Sequence, residues 1–163
     1  MKSVFVLLLL LPFTIFASSE ECENSDLRLV TRDELATKNG EDGADIWLSI
    51  LGRVYDVTTG TDYYSPGQGY NSLCALDSSV PFVTGTFTPE EAEKDIDTVE
   101  DTALTGIYEW EKFYHEHDTY KFVGLLIDPR FYNERGEPQP SLVKARERWS
   151  KIQSEKEEEK KTS

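Results

Sequence analysis

The 163-residue chain has little positive charge. It contains 17 Lys and Arg against 31 Asp and Glu, which gives a formal net charge of -14. A polyanionic partner would be repelled by such a chain, so nucleic acid is not expected as a ligand. Attraction to an anionic membrane surface is disfavoured for the same reason.

Motifs for catalysis and for structural metals are scarce. No glycine-rich phosphate loop follows a predicted strand, and the two Cys and two His do not form a four-residue set with the spacing of a structural zinc site. We interpret the two histidines, His115 and His117, as solvated or helix-capping residues. The many acids do not single out a pair for glycoside chemistry. We therefore expect a non-catalytic protein.

The first 19 residues have the pattern of a signal peptide. Lys2 precedes an apolar run that is interrupted by Pro12 and ends in small residues at 17–19. This run is shorter than the stretch of about 20 apolar residues that a membrane-spanning helix needs. We predict that residues 1–19 are cleaved, that 20–26 form a polar linker, and that no transmembrane span remains. Secretion is the expected localisation; the alternatives are the endoplasmic reticulum lumen or an uncleaved membrane anchor.

Two cysteines, Cys22 and Cys74, lie beyond the predicted cleavage site. In an oxidising compartment they could form one intramolecular disulfide. In the alternative, Cys22 stays free in the linker and Cys74 is buried and reduced, as a small hydrophobic residue. The sequence leaves both alternatives open.

The rest of the chain predicts short strands and helices. Thr31 to Glu34 fits a helix-capping box. Two β segments within residues 46–57 reverse at Leu51–Arg53, and Pro89 favours a helix start. Further helices are predicted at 71–75, 79–84, 102–117 and 141–161, and a strand at 120–126.

Charge dominates two segments of the second half. The acid-rich stretch at 90–101 lacks the alternating oxygen ligands and the turn glycine of a calcium loop, so we interpret it as a solvated face. The helix predicted at 141–161 has only a thin apolar stripe, and we expect it to dock weakly or to fray.

Tyrosines are concentrated around one turn. Tyr63, Tyr64 and Tyr70 frame the turn at 65–69, and Tyr120 begins the later strand. Most aromatic clusters belong to the core, where each phenol needs a hydrogen-bond partner. Tyrosines that bracket a loop can instead line a ligand pocket. Spacing alone leaves both interpretations open.

An ordered set of motifs resembles a known family. The motifs are Ile50–Gly60, Tyr64–Tyr70, Asp77–Ser79, Phe82–Gly85, Trp110, Phe113–Tyr114, Tyr120–Gly124 and Arg130–Tyr132. Together they resemble the cytochrome b5-like haem/steroid-binding domain, and within it the membrane-associated progesterone receptor subfamily. The resemblance covers residues 27–135 and leaves 136–163 as a charged helical tail. It implies an α+β fold, in which a small mixed sheet carries short helices that form a haem cleft.

The resemblance also implies a cofactor and its ligand. Ordinary cytochrome b5 domains have a ligating histidine where this chain has the turn Ser65–Gln68, so bis-histidine electron transfer is not implied. Tyr70 matches the axial tyrosine of the subfamily, and Tyr64 and Tyr120 match its other pocket tyrosines. The implied cofactor is non-covalent ferric haem b, because an anionic phenolate suits a hard Fe(III) ion. A Cys74 thiolate is the less favoured alternative ligand.

The function implied by the resemblance is that of a secreted haem-binding protein. It includes an extracellular role in promoting neuronal differentiation, through an extracellular or membrane protein that the sequence does not identify. The alternative is a haem-free module on the same fold that binds a steroid, a lipid or a protein. Thr119 departs from the subfamily, which often has Lys there, and this removes one cation for a haem propionate.

Overall fold

The computed structural model describes residues 27–162. The predicted signal peptide and linker, at 1–26, lie outside the described residues, and so does Cys22. Within 27–162, no helix is both long and apolar enough to cross a membrane.

A four-stranded mixed sheet forms the centre of the fold. Its strands are β1 (Leu29–Val30), β2 (Trp47–Ile50), β3 (Arg53–Asp56) and β4 (Lys121–Leu126), in the order β1-β4-β3-β2. β2–β3 and β3–β4 are antiparallel pairs, whereas β1 runs parallel to β4. The predicted β2–β3 reversal is confirmed: Leu51 and Gly52 have φ of 51° and 69°, as a tight hairpin turn requires. A Cβ at Gly52 would lie 2.4 Å from Cβ of Phe131, so only glycine fits.

Six α-helices and three 3-10 turns surround the sheet in the described part of the chain. The helices are α1 (Arg32–Ala36), α2 (Thr61–Tyr64), α3 (Ser79–Thr84), α4 (Pro89–Ala92), α5 (Asp101–Glu116) and α6 (Pro140–Thr162). The 3-10 turns are Glu41–Gly43, Asn71–Leu73 and Ile96–Thr98. The α+β fold class predicted from the sequence is confirmed.

The start of α1 confirms half of the predicted capping box. The Thr31 hydroxyl accepts a hydrogen bond from the Glu34 backbone N–H at 3.1 Å, which satisfies one of the free donors of the first helical turn. The Glu34 carboxylate does not return to the Thr31 backbone; it pairs with Arg28 instead.

The core lies between the sheet and α5. Helix α5 contacts β2, β3, β4 and α3, and it buries Leu104, Ile107 and Tyr114. Asp77 joins the sheet to α3 from inside this core. Its carboxylate accepts hydrogen bonds from the Ser49 hydroxyl at 2.6 Å and from the backbone N–H of Gly52 and Ser79, both at 3.1 Å.

Helix α6 packs on the domain through its first half. Leu142 and Ala145 are buried, and the Trp149 ring stacks on Tyr108 of α5 with the centroids 4.5 Å apart. From residue 154 to 162 the helix is fully exposed. The expectation of weak docking or fraying therefore applies to the second half of α6 alone.

The acid-rich segment is solvated only in part. Lys144 Nζ lies 3.2 Å from the Asp97 carboxylate, and Arg148 lies 2.6 Å from that of Asp101. Arg148 also donates to the carbonyls of Asp97 and Val99, each at 2.7 Å. The segment is therefore a docking surface for the basic residues of α6. The interpretation of the segment as a solvated face did not predict this contact.

Candidate functional site

Helix α2 and the turn after it position two of the predicted pocket tyrosines. Tyr64, at the end of α2, is 4% exposed, and Tyr70, after the turn, is 41% exposed. The Tyr70 backbone N–H donates to the Tyr63 carbonyl at 3.0 Å, and the Asn71 side chain donates to the Tyr64 carbonyl at 2.7 Å. These bonds return the chain to α2, so the two rings come together with their centroids 6.1 Å apart.

The third predicted tyrosine, Tyr120, lies in the same place. Its ring centroid is 5.9 Å from that of Tyr64, in an edge-on contact. The structure therefore brings Tyr64, Tyr70 and Tyr120 together. They belong to an aromatic cluster that also includes Phe82, Trp110, Phe113, Tyr114 and His117. At one end of the cluster, a surface cavity of about 290 Å³ is lined by Phe113 and His117 together with Glu116 and Asp118.

Tyr64 is held by a residue that the sequence did not single out as a site residue. Its hydroxyl lies 2.6 Å from that of Tyr114, which is 1% exposed. Burial raises the pKa of both phenols, so both stay neutral in the folded protein. Tyr114 lies seven residues after the core residue Ile107, and this helical spacing was the available signal for its burial.

Tyr70 differs from Tyr64 in that its hydroxyl is free and its ring is exposed. Within residues 27–162, no group forms a hydrogen bond with its phenolic oxygen. A Cβ at Gly67 or at Gly69 would have no atom within 4 Å, so the turn before Tyr70 faces open space. The Tyr70 oxygen can therefore meet an incoming ligand without breaking an existing bond.

The structure disfavours a Cys74 thiolate as the ligand. Cys74 is 5% exposed, and its thiol lies 3.5 Å from the Tyr70 carbonyl oxygen. Burial raises the pKa of this thiol to about 12, which keeps it protonated at neutral pH. The disulfide with Cys22 stays a prediction, because Cys22 lies outside the described residues.

Of the two histidines, His117 belongs to the cluster. Its ring stacks on Tyr120 with the centroids 3.7 Å apart and the planes at 11°. The Thr119 backbone N–H lies 3.3 Å from its Nδ1 atom. His115 is different, because it faces Arg53, whose Nη2 lies 3.3 Å from its Nδ1 atom. The interpretation as solvated or capping residues is confirmed, because His115 is exposed and His117 is the C-cap of α5, but it did not predict the contact of His117 with Tyr120.

These residues fit a ferric porphyrin in three respects. A free phenol supplies an oxygen donor, exposed ring faces supply apolar contact for a planar macrocycle, and the turn leaves space beside the donor. A bare metal ion has no comparable site, because no three or more His, Cys, Asp and Glu side chains in the described chain group suitably. Residue 119 is a threonine and not a basic residue. His117, which stacks on Tyr120, is therefore an ionisable side chain beside that tyrosine.

A comparison with protein families agrees with the fold. Residues 31–106 match the model described as the cytochrome b5-like heme/steroid binding domain. Residues 31–106 therefore resemble a domain of this class, which confirms the resemblance found in the motifs.

The curated relatives of the chain include neuferricins and a membrane-associated progesterone-binding protein. The chain is 38% identical over 128 residues to a neuferricin homolog of Drosophila pseudoobscura pseudoobscura, and 36% identical over 126 residues to neuferricin of Danio rerio. It is 36% identical over 141 residues to membrane-associated progesterone-binding protein 4 of Arabidopsis thaliana. These matches cover 77%, 77% and 83% of this chain, but 43%, 46% and 56% of the relatives. The chain thus spans about half the length of the curated relatives it matches.

A solved structure with the same architecture supports the fold independently. It is an Arabidopsis thaliana protein with a cytochrome b5 like fold, 26% identical to this chain, with a TM-score of 0.55. The match covers 63% of this chain and 93% of that one.

Proposed function

We propose that this chain is a non-catalytic haem-binding protein in which the Tyr70 oxygen ligates the iron of non-covalent ferric haem b. The observation that carries the proposal is the contrast among the three tyrosines. Tyr64 is buried and bonded to Tyr114, and Tyr120 is stacked on His117, whereas Tyr70 has an exposed and unpartnered hydroxyl.

The chemistry of the ligand supports a ferric cofactor. Fe(III) is a hard ion that favours an anionic oxygen, and tyrosinate ligation of haem has a precedent in catalase. Bound haem would supply an iron centre with one protein ligand, a state that favours Fe(III) and suits haem recognition better than reversible electron transfer. Tyr64 and Tyr120 shape the pocket, and the rings of Phe82 and Trp110 extend its apolar wall.

The proposed site of action is outside the cell. The sequence pattern of residues 1–19 supports cleavage and secretion. The similarity to neuferricins supports a role in promoting neuronal differentiation, through an extracellular or membrane protein partner. N-terminal mass spectrometry of the chain recovered from culture medium tests this localisation. Retention inside the cell, or an intact residue 1, would overturn it.

Titration of the purified protein with ferric haem tests the ligand. We expect a saturable Soret spectrum with a phenolate-to-iron band in the wild type, and loss of that band in Tyr70→Phe. The matched control is Tyr63→Phe, which removes the hydroxyl of a more exposed ring stacked on Tyr70, with centroids 6.5 Å apart. It should bind as the wild type does.

Two results would contradict the assignment of the ligand. Tyr70→Phe could retain the wild-type spectrum, or Cys74→Ala could lose it. A wild type without a saturable Soret change would exclude haem. That result would favour a haem-free module, in which the exposed rings of Tyr70 and Phe113 bind a steroid or another flat apolar ligand.

A further inference from the structure

The Tyr64 and Tyr114 hydroxyls form a buried polar pair behind Tyr70. Their oxygens lie 2.6 Å apart, inside a cluster that is otherwise aromatic. Tyr114 has no other hydrogen-bond partner within residues 27–162. Tyr64 has phenol neighbours on its other side, because its ring contacts those of Tyr120 and Tyr70, with the centroids 5.9 and 6.1 Å away. The two members of the pair are therefore not equivalent.

The number of hydroxyl protons indicates which tyrosine of the pair donates the hydrogen bond. Each hydroxyl carries one proton, and one bond between them uses only one of the two protons. If Tyr64 donated, the Tyr114 proton would be left among rings, and an unpaired buried donor is unfavourable. If Tyr114 donates, the spare proton belongs to Tyr64, on the side where Tyr120 and Tyr70 lie. The second arrangement is favoured.

The packing around Tyr114 keeps its hydroxyl in this position. Five rings surround the Tyr114 ring, with centroids at 5.2 to 6.4 Å: Phe113, Tyr120, Phe82, Tyr55 and Trp110. Tyr114 is also part of helix α5, which packs on the sheet. A close-packed ring on a helix cannot swing to another acceptor.

We propose that Tyr114 is a positioning residue for the cofactor site. By donating to Tyr64, it directs the Tyr64 proton towards the open side of the cluster. The Tyr70 ring lies next to that of Tyr64, with the centroids 6.1 Å apart, so a Tyr70 phenolate on iron would accept a hydrogen bond from the Tyr64 hydroxyl. A hydroxyl that accepts one hydrogen bond donates the next one more strongly, so Tyr114 strengthens a charge-assisted bond that it does not itself make. This inference rests on the proposed function.

A double-mutant cycle tests the inference on the full chain. Wild type, Tyr64→Phe, Tyr114→Phe and the double variant are titrated with ferric haem. We expect each single variant to bind about three- to tenfold more weakly and to move the phenolate-to-iron band to longer wavelength, because the phenolate loses hydrogen-bond stabilisation. Since Tyr114 acts through Tyr64, the double variant should match Tyr64→Phe in both readouts.

A matched control separates positioning from packing. Tyr55 is also fully buried, and its ring lies 5.8 Å from that of Tyr114, but its hydroxyl donates to Glu111 at 2.7 Å, away from the cluster. Tyr55→Phe should lower the melting temperature and leave the haem band in place. Wild-type behaviour of Tyr114→Phe, or losses that multiply in the double variant, would overturn the inference alone. A wild type that binds no haem would overturn the proposed function as well.

The direction of the bond can also be measured without haem and without substitution. In the wild-type protein, the hydroxyl proton of Tyr114 lies between two oxygens, so we expect a slowly exchanging, downfield NMR resonance that correlates with the Tyr114 ring. Assignment of that resonance to Tyr64 would overturn the proposed direction, even where Tyr114→Phe fails to fold.

Discussion

Residue 60 is a glycine, and the side chains of Tyr64 and Tyr120 occupy the space that a Cβ would need. A Cβ built on Gly60 would lie 2.8 Å from the Tyr120 hydroxyl oxygen and 2.8 Å from Cδ2 of Tyr64. The Tyr120 hydroxyl is the end of a side chain and can yield. The Tyr64 ring is buried and bonded to Tyr114, so it cannot yield without loss of packing.

Gly60→Ala should therefore disturb the cofactor site from outside it. We expect the free energy of unfolding to fall by about 1–3 kcal/mol, as in other overpacked sites, and haem affinity to fall with it. Chemical denaturation and haem titration measure the two effects. Gly69→Ala is the matched control, because a Cβ there meets no atom within 4 Å. Equal behaviour of the two variants would show that the tyrosines do not depend on the space at residue 60.

Single residues also show how far the site could be predicted. The motifs pointed to Tyr64, Tyr70 and Tyr120, and the structure brings these three rings together. The sequence could not predict the difference in burial between Tyr64 and Tyr70, because that depends on how the turn returns to α2. It also missed the hydroxyl pair with Tyr114, because helical spacing predicts a buried face but not a hydrogen-bond partner across 50 residues.

Among the secondary-structure elements, α6 is held by directional polar contacts as well as by apolar ones. Arg148 reaches the carbonyls of Asp97 and Val99 and the carboxylate of Asp101, and it is about one-third exposed. Lys151 lies on the same helix, but it pairs with Glu155 at 3.8 Å at the exposed surface. The two basic residues therefore differ in what they join.

Arg148→Ala should loosen α6 from the domain. We expect a loss of about 1–3 kcal/mol in the free energy of unfolding, because two backbone carbonyls lose a charged donor. Faster amide exchange should follow along the first half of α6. Lys151→Ala is the control and should change little, since exposed ion pairs contribute little. A loss of stability as large in Lys151→Ala would assign the effect to helix propensity or charge.

Elements with strong local signals were predictable from the sequence. The β2–β3 hairpin has its Gly52 turn, and α5 has apolar residues at helical spacing. Helix α2 was interpreted as part of a loop, because four residues are too few to show a helical period. The docking of α6 on the acidic segment was also missed, because ion pairs between segments 46 or more residues apart have no local pattern.

In a molecule with a net charge of -14, buried ion pairs are important for the stability of the fold. Asp128 is 2% exposed, and both of its carboxylate oxygens accept from Arg130, at 2.9 and 3.0 Å. Burial opposes ionisation of Asp128, but the bonds from Arg130 outweigh it and hold its pKa below the ordinary value. Arg130 also donates to the Ala92 carbonyl, so the pair links the end of β4 to α4.

The depressed pKa of Asp128 predicts a loss of stability in acid. The contribution of the pair is complete above the unfolded-state pKa, near 3.8, and is lost as pH falls through the lower folded-state value. At pH 7, Asp128→Asn should lower the free energy of unfolding by about 3 kcal/mol, because Arg130 keeps a buried charge without its partner. Denaturation at several pH values should show this difference narrowing below about pH 4. A difference that stays constant with pH would contradict this origin. Asp45→Asn, which removes an exposed partner of Lys38, is the control and should change little at any pH.

Helix α5 packs against the aromatic cluster on one side and against α6 on the other. Trp110 and Tyr114 face the tyrosines, while Tyr108 carries the indole of Trp149 from α6. Because α6 packs against one side of α5, it restricts the motion of the whole helix. The C-terminal helix therefore stabilises one wall of the proposed haem site, although it does not line that site. A fragment limited to residues 31–106, the segment that the family model matches, would lack Trp110, Tyr114 and Tyr120.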